Sequence, residues 1–331
     1  MKKIKRILIV VLALGLLSGT ALTGCRNKAE AADNQVVLYT NADDEAVEAM
    51  KNALDKNGYK GKYIVQTFGT SELGGKLLAE GKDIEADLIT MSSFYLESAQ
   101  EEHTMFADLT FETGAKEDYP AYYTPITAQE GAIIYNTEVL KENGLPVPAS
   151  IKDLADPVYK DMISVTDIQS SSTAWLLIQA IVNEYGEDGA KDILTDIYAN
   201  AGAHIEDSGS GPIKKVRAGE VAIGFGLRHQ AVADKEEGLP IDYVDPSEGN
   251  FTLTESAAVV EKDSDKKDLA MEMAECIIQN GREELLKTYP IPLYDGEEAD
   301  DANKSGNPKV FSEKLSVDLL EKHQALSEEC K

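Results

Sequence analysis

The sequence predicts an α/β protein of two lobes joined by two extended strands. Three observations carry that expectation. Strand-like and helix-like segments alternate from Val36 onward, which implies a mostly parallel sheet with covering helices. Two long extended segments, "TPITAQEGAIIYN" (124–136) and "NFTLTESAAVV" (250–260), lie far apart in the chain. Side by side, they would form the two strands linking a pair of lobes. The chain also has 331 residues, 43% of them apolar, enough material for two packed cores.

The elements follow in order. "VVLYT" is a β-branched strand, and "NADDEAVEAMKNALDKNG" is an amphipathic helix stopped by Gly58. "KYIVQTF" is a strand, "GTSELGGKLLAEG" a helix and "ADLITM" a third strand. After "GAIIYN" come a short helix, the helical turn "SIKDLADPVYKD" and the strand "MISVTD". Two helices are expected in "SSSTAWLLIQAIVNEYG" and "DGAKDILTDIYANAG", with Trp175 in the core. "AHIEDSGSGPIKKVRAGE" reads as strand, Ser/Gly turn and helix, and "VAIGFGLRHQAVADKEEG" as strand and helix. "IDYVDP" and "TLTESAAVV" are strands, and the remainder is expected to be mainly helical, with "DGEEADDANKSGNP" an exposed loop.

At the N-terminus, Lys2, Lys3, Lys5 and Arg6 precede an apolar run from Ile7 to Leu17. That is the pattern of a secretory signal peptide, and the run is too short to span a bilayer stably. "LTGC" resembles the bacterial lipobox, so Cys25 is the expected lipidation site; an ordinary cleaved signal with an incidental cysteine is the alternative. Residues 1–24 are then the lipoprotein signal peptide and 25–35 a tether. The formal net charge of −27 argues against nucleic acid, and loss of four leader cations makes it more negative still. Cys276 and Cys330 remain; a disulfide between them and two free thiols are both open.

Three predicted helices begin in hydroxyl- or glycine-rich turns after a strand: at Gly69-Thr70-Ser71, at Ser170-Ser171-Ser172-Thr173, and at Ser208-Gly209-Ser210-Gly211-Pro212. A helix start offers unpaired N–H groups and roughly half a positive charge, which together hold oxyanions. Ser and Thr add neutral donors and no base. Any one such turn reads equally well as plain N-capping, but three at the carboxyl ends of strands point to a ligand edge. The first helix instead opens Asn41-Ala42-Asp43-Asp44-Glu45. Those acids either complement its dipole or receive a ligand ammonium, a role also open to Glu130 and Glu255.

The expected ligand contacts are Tyr39, Asn41, Asp43, Thr70, Ser71, Ser171, Ser172, Thr173, Ser208, Gly209, Ser210 and Arg228, with Phe68 as a further wall. No catalytic residues, metal ligands or cofactor are expected. None of the four histidines sits in an HExxH motif, no GxSxG occurs, and Gly224-Phe225-Gly226 is an incomplete dinucleotide fingerprint.

"YTNADDEAVEAMKNAL", "FGTSELGGKLLAEGKDIEADLI", "GAIIYNTEVLKENGLPVPASIKDLADPVYKDMISVTD" and "SGSGPIKKVRAGEVAIGFGLRHQAV" together resemble extracellular solute-binding proteins of ABC importers. The likeness is greatest to the ferric-ion/2-aminoethylphosphonate group of the periplasmic-binding-protein-like II fold. It implies two lobes, residues 36–126 with 254–295 and residues 127–253 with 296–331, closing over a solute. It also implies a monomer handing that solute to an ABC permease and its ATPase, held at the cell membrane by a lipid anchor and facing outside the cytoplasm. Ferric binders of the group use adjacent tyrosines where this chain has Arg228-His229, and Tyr122-Tyr123 match a different position. The resemblance therefore implies a small anionic or zwitterionic solute, foremost a phosphonate such as 2-aminoethylphosphonate. A ferric or ferric-chelate receptor and an exported phosphate-ester hydrolase are the alternatives.

Overall fold

A computed structural model describes residues 34–331. The signal peptide, Cys25 and nearly all of the tether lie outside the described residues. β1 (Val36–Thr40) is buried at every position, as a central strand covered on both faces must be. α1 (Asp44–Lys56) buries Ala46, Ala49, Met50, Ala53 and Leu54, the three- and four-residue spacing of one helix face. β2 (Tyr63–Thr67), α2 (Thr70–Glu80), β3 (Leu88–Ser92) and α3 (Ser93–His103) complete this part. β1 pairs in parallel with both β2 and β3.

β4 (Thr124–Asn136) leads into α4 (Thr137–Asn143), whose start is capped by the Asn136 side chain accepting from the Glu138 and Val139 amides. β5 (Ile163–Thr166) precedes α5 (Ala174–Ala201), which is broken at Gly186, where φ is 72°. The two helices expected there are thus present, meeting end to end at a residue free to take positive φ. β6 (Ile205–Glu206), α6 (Gly211–Arg217), β7 (Ile223–Leu227), α7 (Arg228–Glu236) and β8 (Ile241–Val244) follow. Then come β9 (Asn250–Val259), α8 (Lys266–Thr288), β10 (Pro308–Lys309) and α9 (Val317–Cys330).

The strands run in the order β2-β1-β3-β9-β4-β7-β5-β6, with β8 on β4 and β10 on β9. β4 and β9 are antiparallel neighbours, from Thr124 opposite Ala257 to Glu130 opposite Thr252. Each strand also has a further neighbour on its own side. Residues 255–259 of β9 pair with β3, and residues 131–135 of β4 pair with β7. The two segments expected to join the lobes therefore do so, and the fold is the two-lobed α/β arrangement expected from the sequence.

The chain after α8 departs from expectation. Residues 289–316 hold only one turn of 3-10 helix and the two-residue β10, because Pro290, Pro292, Gly296 and Pro308 interrupt any helical run. Two buried arginines fasten this segment. On the β1 side Arg282 makes a bidentate pair with Glu297 and also donates to the Ile126 carbonyl. On the β5 side Arg228 pairs with Asp245 and donates to the carbonyls of Ala302 and Lys304. Trp175 is fully buried as expected, edge-on to Phe94 and donating to His323 Nδ1 at 2.6 Å. Cys276 and Cys330 are free thiols.

Candidate functional site

The cleft between the two halves of the sheet is a cavity of about 330 Å3 at the carboxyl ends of β1, β2, β5 and β6. Parallel strands with crossing helices present helix starts at that edge, and the three hydroxyl-rich turns converge here. Thr70 comes from the first turn, Ser170 to Thr173 from the second, Ser208 and Gly209 from the third.

The β5-side wall is rich in hydroxyl donors, with Asp207 as its one carboxylate among the described lining residues. Ser171, Ser172 and Thr173 are each more than nine-tenths buried yet line the cavity. Thr173 Oγ1 has no hydrogen-bond partner among the described residues, so it is available to a solute. A Cβ on Gly209 would lie 2.2 Å from that oxygen. Glycine is therefore required for the third turn to come this close to the second.

The β1-side wall is acidic. Asp43 and Asp44 at the start of α1 and Glu255 on β9 line it, with Asp207 across the cleft, and among the described residues no Lys or Arg lines the cavity. Glu255 Oε1 accepts from Ser92 Oγ at 2.7 Å. The Asn41 amide sits between Glu255, Thr70 and the Thr90 carbonyl. With its nitrogen toward Glu255, it donates to Oε2 at 3.0 Å and accepts from Thr70 Oγ1 at 3.0 Å. Burial pushes the Glu255 carboxyl up to about 7, Asp43 adds to the rise, and the Ser92 and Asn41 hydrogen bonds oppose it. Asp43 is raised as well, first by burial and then by Glu45. A carboxylate poised in this way gains most from a cationic partner.

Eight of the twelve expected contacts line the cavity: Asn41, Asp43, Thr70, Ser171, Ser172, Thr173, Ser208 and Gly209. Phe68 lines it too, in ring contact with Tyr39 at 4.7 Å. Four of the twelve lie elsewhere. The Tyr39 hydroxyl donates to Glu85, because its place on β1 turns the ring away from the cleft. Ser71 donates to the Gln169 carbonyl, which ties α2 to the loop before α5. Ser210 faces Ser208 at 3.5 Å. Arg228 is consumed by its ion pair with Asp245. Glu130 accepts from Ser305 and also lies outside the cavity.

Sequence reasoning missed Thr127 and Gln129 on β4, Leu227 at the end of β7, and Tyr289 just past α8. The hinge residues carry no local signal, since only the β4–β9 pairing brings them to the cleft. Tyr122 and Tyr123 are remote from it: Tyr123 donates to Glu97 and lines a separate cavity. Among the described residues no group of three His, Cys, Asp or Glu side chains is placed to hold a metal ion.

Residues 83–313 match the family of bacterial extracellular solute-binding proteins. That is well over half of the chain, and the chain belongs to this family. An uncharacterized protein of Haemophilus influenzae is 28% identical over 262 residues, 75% of this chain and 72% of its own length. Iron-bound HitA from Pseudomonas aeruginosa superposes with a TM-score of 0.72 at 22% identity, covering 89% of this chain and 99% of its own. AfuA from Actinobacillus pleuropneumoniae, with fructose-6-phosphate bound, gives 0.70 at 21% identity, covering 89% and 97%. These two structural likenesses establish the two-lobed fold. The family makes this an extracellular solute-binding protein, and its fold is the two-lobed one of binding proteins.

Proposed function

We propose that this protein is the receptor of an ABC importer for a small zwitterion with an oxyanion head and an ammonium tail, foremost a phosphonate such as 2-aminoethylphosphonate. One observation carries the reading. The cleft places the Ser171–Thr173 hydroxyls and the Ser208–Gly209 turn, with Asp207 beside them, opposite Asp43, Asp44 and Glu255, and among the described residues no Lys or Arg lines it. A plain oxyanion would meet Asp43, Asp44, Asp207 and Glu255 without compensation. A plain cation would leave the hydroxyl donors of Ser172 and Thr173 unused. In this reading the head sits on Ser171 to Thr173 and Ser208–Gly209, and the ammonium sits between Glu255 and Asp43. The lobes are residues 36–126 with 254–295 and residues 127–253 with 296–331. Lipidation at Cys25 would hold a monomeric receptor at the membrane beside its permease.

The magnitudes suffice. Micromolar affinity needs about −8.2 kcal/mol. Charge-assisted hydrogen bonds contribute roughly 1.5–3 kcal/mol each, so five or six of them cover that requirement after the cost of association.

Neither alternative has a comparable observation behind it. Among the described residues the cleft's carboxylates form no group of three placed to hold a metal ion, and Tyr289 is the one tyrosine lining it, where the resembled ferric binders use an adjacent pair. The test is calorimetric titration of the mature protein with 2-aminoethylphosphonate, ethylphosphonate, inorganic phosphate and ferric citrate. Only the first should bind at micromolar concentration or below. Tighter binding of ethylphosphonate or phosphate would defeat the zwitterion reading, and a coloured ferric complex would move the assignment to iron.

A further inference from the structure

Tyr289 was not expected at the site, and hydrogen bonding does not explain its position. It is 2% exposed, and its hydroxyl has no hydrogen-bond partner among the described residues. Its ring packs with Ala46, Ala49 and Leu285 on the β1 side. From the β5 side the His229 ring meets it at 5.0 Å between centroids. One face of Tyr289 lines the cleft beside Asp43 and Glu255. The same residue lines a second cavity of about 310 Å3, bounded by Glu45, Arg217, His229, Gln230 and Lys287. Gln230 Oε1 is buried there without a partner. Two polar spaces of similar size thus meet at one aromatic side chain, at the end of the cleft where the carboxylates stand.

We propose that Tyr289 is a specificity-determining partition, setting the length of the amine arm that the cleft accepts. This rests on the zwitterion reading above. With the ring in place, an ammonium group stops at Glu255 and Asp43, so a two-carbon arm fits and a long one has nowhere to extend. Without the ring, the two cavities join, and a longer arm reaches the unpartnered Gln230 oxygen and Glu45. Because the ring touches elements from both halves of the sheet, the partition is complete only when the lobes are closed.

The test titrates wild type, Tyr289→Phe, Tyr289→Leu and Tyr289→Ala with 2-aminoethyl-, 4-aminobutyl- and 6-aminohexylphosphonate, alongside a melting curve for each variant. Wild type and Tyr289→Phe should prefer the shortest ligand by roughly tenfold or more, as a pocket does when it excludes extra methylenes. Tyr289→Ala should lose or invert that preference. Tyr289→Leu, which keeps more core volume, should move in the same direction and serves if the alanine variant fails to fold. A parallel loss of affinity for all three lengths marks mere packing and overturns the partition. Equal binding of all lengths by wild type overturns the partition alone. Wild type binding none of the series overturns the zwitterion reading and the partition with it.

Discussion

The two walls of the cleft solve opposite problems with opposite materials. Asp207 apart, the β5-side wall uses groups that carry no formal charge: hydroxyls of Ser171, Ser172 and Thr173 before α5 and the Ser208–Gly209 turn. Their attraction for an anion is a sum of dipoles, fixed in place and insensitive to pH. The β1-side wall uses full charges, and burial makes them titrate. Burial pushes Glu255 up to about 7, so its charge depends on what sits beside it. On the proposed zwitterion reading, the hydroxyl wall would supply constant affinity and the carboxylate wall discrimination.

Removing charge from the acidic wall is the sharpest way to break this contrast. Glu255→Gln keeps the shape and deletes the anion. Affinity for 2-aminoethylphosphonate should fall by about ten- to a hundredfold, the worth of one charge-assisted bond, while ethylphosphonate should bind no worse. Calorimetry reads both, and equal losses for the two ligands would erase the distinction between the walls. A smaller loss, about tenfold, is expected for Ser172→Ala with Thr173→Ala, and here both phosphonates should suffer alike. Ser71→Ala and Ser210→Ala are the controls; as neither lines the cleft, each should leave affinity nearly unchanged.

The smallest effect is the most specific. A carboxyl whose folded value is raised binds protons in the folded state that the unfolded chain has already released. The ligand-free protein should therefore lose stability as pH rises from about 4.5 toward 7, at most about 1.36 kcal/mol per pH unit from Glu255. Binding of the ammonium should run the other way and strengthen as pH rises through 7. Melting temperatures with and without ligand at pH 5.5 and 8 check both signs. Glu255→Gln should remove the share of each slope that Glu255 supplies and leave those of Asp43 and of the phosphonate itself.

How far the sequence revealed the site depended on distance along the chain. Helix starts are local events, so Thr70, Ser172 and Gly209 could be found from a strand, a turn and a hydroxyl in succession. The hinge strands were legible because 13 and 10 extended residues are too many for an ordinary element of this fold. Arg228 was misplaced because its partner, Asp245, is 17 residues away and becomes a neighbour only through the packing of α7 against β8. Tyr289 was overlooked for a related reason. Nothing in "KTYPIP" distinguishes a tyrosine ending a helix from one closing a cavity, and only the meeting of α1, α7 and the end of α8 gives it that position.

The segment pinned by Arg282 and Arg228 bears on how such a receptor would move. Two neighbouring strands alone behave like a ribbon, free to twist as well as to bend. A third cord, anchored on each side by a buried guanidinium and passing through residues 297–302, resists the twist. What would survive is a door-like swing that brings the hydroxyl-rich edge and the carboxylate edge back to the same register at every closure.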